Sequence, residues 1–312
     1  METKNNTFFT KTFVVACFAL LCCALWGSAT PFIKTGYELI LPEKDTASTI
    51  LFAGIRFLLA GFLTVVIYSV ARRKVLIPKR ENIGRIGLIC LFQTVLQYIF
   101  FYVGLANTSG VKGTVLSGST AFFALLISAL ILKQERLTLK KIIACIFGFA
   151  GIIIVNLKGL DFNMNFFGDV FVIFSSIASA ASSSLTKKFS KYEDPVVISG
   201  YQFMAGGLVM MGIGLAFGGA VKFDSFAAYG VIIYLAALSA VAYSLWGILL
   251  KYNPVSKVTV YSFMTPVFGV LLSEIILTED SNVSYINLVI TLILVCTGII
   301  LINYRREKSN TV

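Results

Sequence analysis

Residues 98–132 read YIFFYVGLANTSGVKGTVLSGSTAFFALLISALIL, and residues 243–277 read YSLWGILLKYNPVSKVTVYSFMTPVFGVLLSEIIL. Aligned at a fixed offset of 145 with no gap, they share 12 of 35 positions, among them Tyr98/Tyr243, Lys112/Lys257, Thr114/Thr259, Ser117/Ser262, Phe123/Phe268 and Leu132/Leu277. Two unrelated apolar stretches would agree at about one position in ten, so these are copies of one unit. The copying extends in both directions with small shifts. At offset 146, Gly54, Phe57 and Gly61 match Gly200, Phe203 and Gly207, which sets Arg56 against Gln202. At offset 147, GIIIVN at 151–156 matches GIILIN at 298–303.

Composition says what kind of unit was copied. Of 312 residues, 57% are hydrophobic and 13% charged, with a mean hydropathy of +0.87. A soluble domain carries about 25% charged residues, so this chain cannot coat a water-facing surface and is not disordered either. Ten apolar stretches long enough to span a bilayer lie near 12–34, 48–70, 83–104, 111–132, 139–157, 166–186, 195–219, 226–250, 257–278 and 283–304. They are continuously apolar, which excludes the alternation of a β-barrel. The first stretch runs through Trp26 and Pro31 without a cleavage site and is expected to remain as a span. Ten spans in two copies give five per copy. An odd number makes the second copy cross the membrane in the opposite sense, the inverted-repeat architecture of secondary transporters. The expected fold is an all-α membrane protein of ten helices in two inverted five-helix repeats, residues 1–158 and 159–312.

The net charge of +11 fits this topology better than a nucleic-acid partner. With the N-terminus inside, inner segments hold 20 of the 26 Lys and Arg and a net charge of +14, while outer segments carry −3. Such a bias places both termini in the cytoplasm. The chain has no histidine, which removes Ser-His and Cys-His catalysis and histidine metal sites. The six cysteines fall in apolar runs without a metal-type pair and read as small core residues. No phosphate-binding GxxxxGK[ST] loop occurs, so ATP is not the energy source. No cofactor, metal or catalytic residue is expected, and the chain is not expected to be an enzyme.

The residues resemble those of the drug/metabolite transporter superfamily, and within it the EamA-type ten-span transporters. The first span carries Leu25-Trp26-Gly27-Ser28 with Lys34 eight residues after the tryptophan; the second carries Arg56-Phe57-Leu58-Leu59-Ala60. The fourth ends on Leu132 followed by Glu135-Arg136, and the ninth runs from Pro266 to Leu277 and Glu279. Ala121 and Thr278 depart from the family pattern, and the sixth span is serine-rich where a Trp-Gly pair is usual. The resemblance covers nearly the whole chain and implies a carrier of small metabolites, often an exporter.

Three charges lie in or near outer span ends: Lys34, Arg56 and Glu274. Intramembrane charges face a cavity or a partner. Arg56 and Lys34 could attract an anionic group such as a carboxylate, with Glu274 binding an ammonium or carrying a proton. Alternatively Lys34 snorkels to headgroups and Arg56 pairs with Glu274. Trp26, Tyr98, Phe101, Tyr243 and Trp246 are candidates to line a central cavity, Tyr98/Tyr243 and Phe101/Trp246 being repeat equivalents; the other role open to each is helix packing. Gln97, four residues after Gln93, is a further substrate-binding candidate or an interhelical hydrogen-bonding group. The serines at 175, 179, 182 and 183 suit close helix packing.

The sequence therefore points to a secondary transporter in a bacterial plasma membrane, moving an amino acid or related metabolite, with export the expected direction, by alternating access. A multidrug efflux carrier is the nearest alternative, and a non-transporting sensor or subunit is the alternative of another class. The expected partners are a small-molecule substrate, the lipid bilayer, and a proton or counter-solute, in a monomer or homodimer.

Overall fold

The computed structural model describes residues 8–43, 45–157, 165–277 and 285–303, without the side chains at positions 274, 276, 277 and 285. Among the described residues there is no strand. Ten helical spans succeed one another: α1 (Thr12–Ile40), α2 (Thr46–Ala71), α3 (Arg80–Ala106), α4 (Gly110–Ile131), α5 (Leu139–Val155), α6 (Phe166–Phe189), α7 (Pro195–Ala216), α8 (Phe226–Tyr252), α9 (from Val255, ending with the segment Met264–Leu277) and α10 (Tyr285–Asn303). At about 1.5 Å per residue, the 17 residues of α5 make the shortest span.

Polar residues in the loops set where the helices begin. The side chains of Asp45, Ser109, Asn165, Asp194 and Ser225 each accept a backbone N–H in the first turn of α2, α4, α6, α7 and α8. Pro195 opens α7, where its missing N–H costs nothing. At the other end of the next span, Pro254 follows Asn253 and stops α8.

The packing repeats the duplication. α1 lies on α8 and α9, and α6 lies on α3 and α4; α2 lies on α7, and α5 on α10. Exchanging the two halves, α1–α5 for α6–α10, maps this set of contacts onto itself, as a pseudo-two-fold axis requires. The axis passes through the α2–α7 seam, across the two helices. A methyl group at Gly54 would lie 2.9 Å from the carbonyl oxygen of Gly207, and one at Gly207 would lie 2.7 Å from that of Gly54. Two turns along, a methyl group at Gly61 would lie 2.5 Å from the carbonyl oxygen of Gly200. The repeat glycines are the contact points that let the two backbones touch.

Loop contacts give the sense of each half. At the face where α1 begins, Asn253 Nδ2 donates to the Phe9 carbonyl at 2.8 Å and Arg72 pairs with Asp194 at 2.6 Å. At the far face, Lys222 N donates to the Ile40 carbonyl at 2.8 Å and Thr108 Oγ1 to Asp169 at 2.7 Å. So α1 starts at the first face and α6 at the far face: the second half is inverted.

Helical irregularities mark the same places in both copies. α4 breaks after Ser117, at Gly118 and Ser119, and α9 passes through the 3-10 turn Val260–Phe263, the equivalent position. α3 instead contains a wide π turn, Leu91–Leu96, which α8 lacks. Gln93 lies inside this turn and Gln97 directly after it, so the two do not form the regular four-residue pair of an α-helix. The described cysteines carry no disulfide; Cys22 and Cys23 donate from Sγ to the carbonyls of Ala242 and Tyr261.

Candidate functional site

Two repeat-equivalent pairs touch in the middle of the bundle. The hydroxyls of Tyr98 and Tyr243 lie 2.9 Å apart. The rings of Phe57 and Phe203 stack with centroids 5.1 Å apart and planes within 8°. Equivalents can meet only where the pseudo-two-fold axis passes between them, so these four side chains fix its position. Phe57 also leans on Tyr98 at 4.5 Å, and Phe203 stands edge-on to Tyr243 at 4.9 Å. Trp26 of α1 meets Tyr243 at 5.2 Å and Trp246 at 4.9 Å, both edge-on, the geometry favoured by ring quadrupoles. Phe101 packs on Tyr102 at 5.7 Å at the rim of the same cluster.

Among the described residues, the one charge beside these rings is Arg56. It is 4% exposed, with its guanidinium carbon 4.5 Å from the centre of the Phe57 ring and 5.9 Å from that of Tyr98. Neither Nε nor Nη1 has a hydrogen-bond acceptor. Cation–π contact is worth up to about 2 kcal/mol when desolvated, whereas taking a guanidinium out of water costs several kcal/mol. The rings therefore do not balance the charge by themselves. The repeat position, Gln202, carries no charge: it is fully buried, its Oε1 accepts from Thr94 at 2.6 Å, and its Nε2 has no acceptor.

Other polar atoms around the cluster are also unsatisfied. Trp26 Nε1 has no acceptor, and Gln97, beside Tyr243, has no donor to its Oε1. Buried polar atoms without partners are rare and usually mark a ligand or water site. The structure thus brings Trp26, Gln97, Tyr98, Phe101, Tyr243, Trp246 and Arg56 into one region. Lys34 is exposed, two turns beyond Trp26 or about 12 Å along the helix, toward the far face. Glu274 lies on α9, but its side chain is outside the described residues, and with it the expected Arg56–Glu274 pairing. The sixth-span serines pack: Ser175 and Ser176 donate to the carbonyls of Gln97 and Leu116 on α3 and α4.

Each face carries a carboxylate that ties one half to the other. At the far face, Asp169 of α6 is 2% exposed. It pairs with Lys112 Nζ of α4 at 2.8 Å and accepts from Thr108 and from its own Asn165 N–H. Asp169 stands in the first turn of α6. At the first face, Glu135 in the α4–α5 loop pairs with Lys141 at 2.6 Å and accepts from Ser128 at 2.6 Å. It also accepts from the backbone N–H of Ser256 at 3.0 Å and from the Ser256 hydroxyl. Burial disfavours its charge, but the hydrogen bonds from Lys141, Ser128 and Ser256 prevail and hold the carboxyl below its ordinary range.

Sequence reasoning did not nominate Phe57, Phe203, Glu135 or Asp169. The signal for the two phenylalanines was present: they are repeat equivalents on the glycine-lined helices, as Tyr98 and Tyr243 are on α3 and α8.

Several proteins with similar sequence are transporters by name. Residues 14–157 and 166–304 each match the profile of the EamA-like transporter family. The uncharacterized transporter YvbV of Bacillus subtilis is 23% identical, with 96% of this chain and 94% of YvbV covered. An uncharacterized transporter of Archaeoglobus fulgidus is 23% identical over 81% of this chain and 87% of its own length. The WAT1-related chloroplastic protein At3g02690 of Arabidopsis thaliana is also 23% identical, over 89% of this chain and 67% of its own. A solved crystal structure superposes with a TM-score of 0.76 at 16% identity, covering 93% of this chain and 96% of the other, a likeness of fold.

Proposed function

Since this chain belongs to the EamA-like transporter family, we propose that it is a secondary transporter that carries a small metabolite, an amino acid or related compound, by alternating access. Its two working units are the halves 1–158 and 159–312, and the substrate sits between them at the aromatic cluster. The observation that carries this reading is the Tyr98–Tyr243 contact: equivalent residues of two inverted units meet at mid-membrane, where inverted-repeat carriers hold their substrates. Rocking one half about that point would break one carboxylate link while the other holds. Lys112–Asp169 is the far-face link and Glu135–Ser256 the first-face link.

The charge bias supports a plasma-membrane protein with both termini cytoplasmic and the far face outside. Buried core is concentrated toward the cytoplasmic halves of α1, α8 and α9, around Val15, Ala19, Leu249, Val258 and Tyr261. This supports a conformation closed on the cytoplasmic side. Export is the direction we propose, coupled to a proton or a counter-solute. Aromatic walls alone would also suit an amphipathic toxic compound; the buried Arg56 favours a metabolite with an acidic group.

The test is exchange in liposomes holding the purified full chain. Vesicles loaded with an unlabelled amino acid should accelerate entry of the same labelled compound over protein-free vesicles. Absence of protein-dependent movement for every metabolite tried, from a folded preparation, would count against a carrier.

A further inference from the structure

The transport reading leaves the chemistry of the cargo open, and Arg56 narrows it. Resting on that reading, we propose that Arg56 is the anchor for the carboxylate of a small monocarboxylic substrate, whose apolar remainder lies against Trp26, Tyr243 and Trp246.

Three observations lead there. First, the guanidinium is nine-tenths buried, and its Nε and Nη1, which belong to different donor edges of the planar fork, have no acceptor. A carboxylate engages one such edge bidentately, Nε with Nη2 or Nη1 with Nη2, through two parallel N–H···O bonds. Second, among the described residues the surroundings supply walls but no counter-charge: Phe57 and Tyr98 cover the guanidinium plane. The Tyr98 hydroxyl spends its hydrogen bond on Tyr243. Third, the unsatisfied Trp26 Nε1 and Gln97 Oε1 border the same cluster, offering one donor and one acceptor to the rest of the molecule. An amino or hydroxy group beside the carboxylate would use the Gln97 oxygen.

The charge count selects a monoanion. Among the described residues Arg56 is the one cation in contact with these rings, and its repeat partner is the neutral Gln202, bonded to Thr94. A phosphate dianion would need further positive groups that the cluster does not supply. An amine without an acid would meet Arg56 as a like charge, an arrangement disfavoured in low dielectric.

The molecule carries its own reporter. Its two tryptophans, Trp26 and Trp246, are both in the cluster, so intrinsic tryptophan emission reads the site without a label. We would titrate the full-length protein in nanodiscs with benzoate, phenylacetate and L-leucine. Each is matched by its primary amide: benzamide, phenylacetamide and L-leucinamide. Emission and melting temperature are followed together. The expected result is saturable binding of at least one acid, with its amide at least tenfold weaker. R56Q should bring that acid down to the level of its amide, and R56K should fall between.

Acid and amide titrating alike in the wild type, or an acid preference that survives in R56Q, overturns the assignment. The wild-type comparison stands even where R56Q does not fold. Exchange in liposomes, run in parallel with L-leucine and L-leucinamide, separates this inference from the carrier reading. Carboxylate-selective binding without movement keeps the Arg56 site and removes the carrier. Movement of the amide with no carboxylate bound keeps the carrier and removes the Arg56 assignment.

Discussion

Glu135, in a loop of the first half, accepts the backbone N–H of Ser256 at 3.0 Å and so caps the start of α9 in the second half. The same carboxylate holds Lys141 and Ser128. A helix N-terminus whose cap belongs to the opposite repeat is a link that senses the relative position of the halves.

E135Q should weaken that link while keeping the shape of the side chain. Hydrogen bonds to a charged group contribute about 1.5–3 kcal/mol, and the substitution also deprives Lys141 of its counter-charge. We expect a lower melting temperature for E135Q at neutral pH. The carboxyl is held below its ordinary value of 4.5, so its stabilisation is complete above that value and fades as pH falls through the depressed one. Melting curves of the wild type should drop over that acidic range, and those of E135Q should lack this component. Parallel pH profiles in the two proteins would rule the link out as the acid-sensitive element.

Tyr98 and Tyr243 make a second test, by a double-mutant cycle. Each hydroxyl is the other's partner at 2.9 Å, so Y98F or Y243F alone should cost about 0.5–1.5 kcal/mol. The double variant should cost no more than the worse single one, because one hydrogen bond is lost in all three. Additive losses would mean that the hydroxyls act separately.

The α2–α7 seam predicts which glycines tolerate a side chain. At Gly61 a methyl group would lie 2.5 Å from the Gly200 carbonyl and 2.6 Å from the Met204 nitrogen, both backbone atoms. G61A should therefore force the helices apart and destabilise the protein by about 1–3 kcal/mol or more. Gly84 and Gly87 on α3 have no heavy atom within 4 Å of the same position, so G84A should be neutral or slightly stabilising. Thermal melts of the two variants side by side decide the matter.

At the far face, the buried Lys112–Asp169 pair should show the asymmetry of buried ion pairs. D169N leaves the lysine charge without this carboxylate, a loss on the order of 3–5 kcal/mol. Adding K112M removes the charge as well and should restore part of the stability. If the double variant is no better than D169N, the pair is not what the fold depends on there.

The architecture was legible in the sequence because depth in a membrane is written in hydropathy. Ten apolar stretches, their charge-biased ends and the 145-residue echo between Tyr98 and Tyr243 give the spans, the inversion and the approximate level of each residue. Rotation about each helix axis is another matter. α2 and α7 are apolar nearly all round, so no stripe tells which side of Phe57 faces Phe203. Their stacking follows from the glycine contacts, which need the partner backbone to be present. The π turn of α3 was hidden for a similar reason: Leu91–Leu96 carries no proline or glycine, and the widened turn coincides with the Thr94–Gln202 hydrogen bond across to α7. Glu135 and Asp169 looked like loop and interface charges, since a partner from the other repeat cannot be read from either segment alone.

The unequal pair Arg56 and Gln202 has a consequence for how such a molecule could arise. A five-helix unit assembling with an identical copy would place two guanidiniums at symmetry-related positions, with two charges to desolvate. Joining the copies in one chain lets one position keep the charge while the other becomes an amide bonded to Thr94. Divergence of the two copies is thus the precondition for a single off-axis charge, and with it for a bound solute held in one orientation where a strict dimer would offer two. Q202R, which restores that equality, asks whether a fused ancestor could have kept it and still folded.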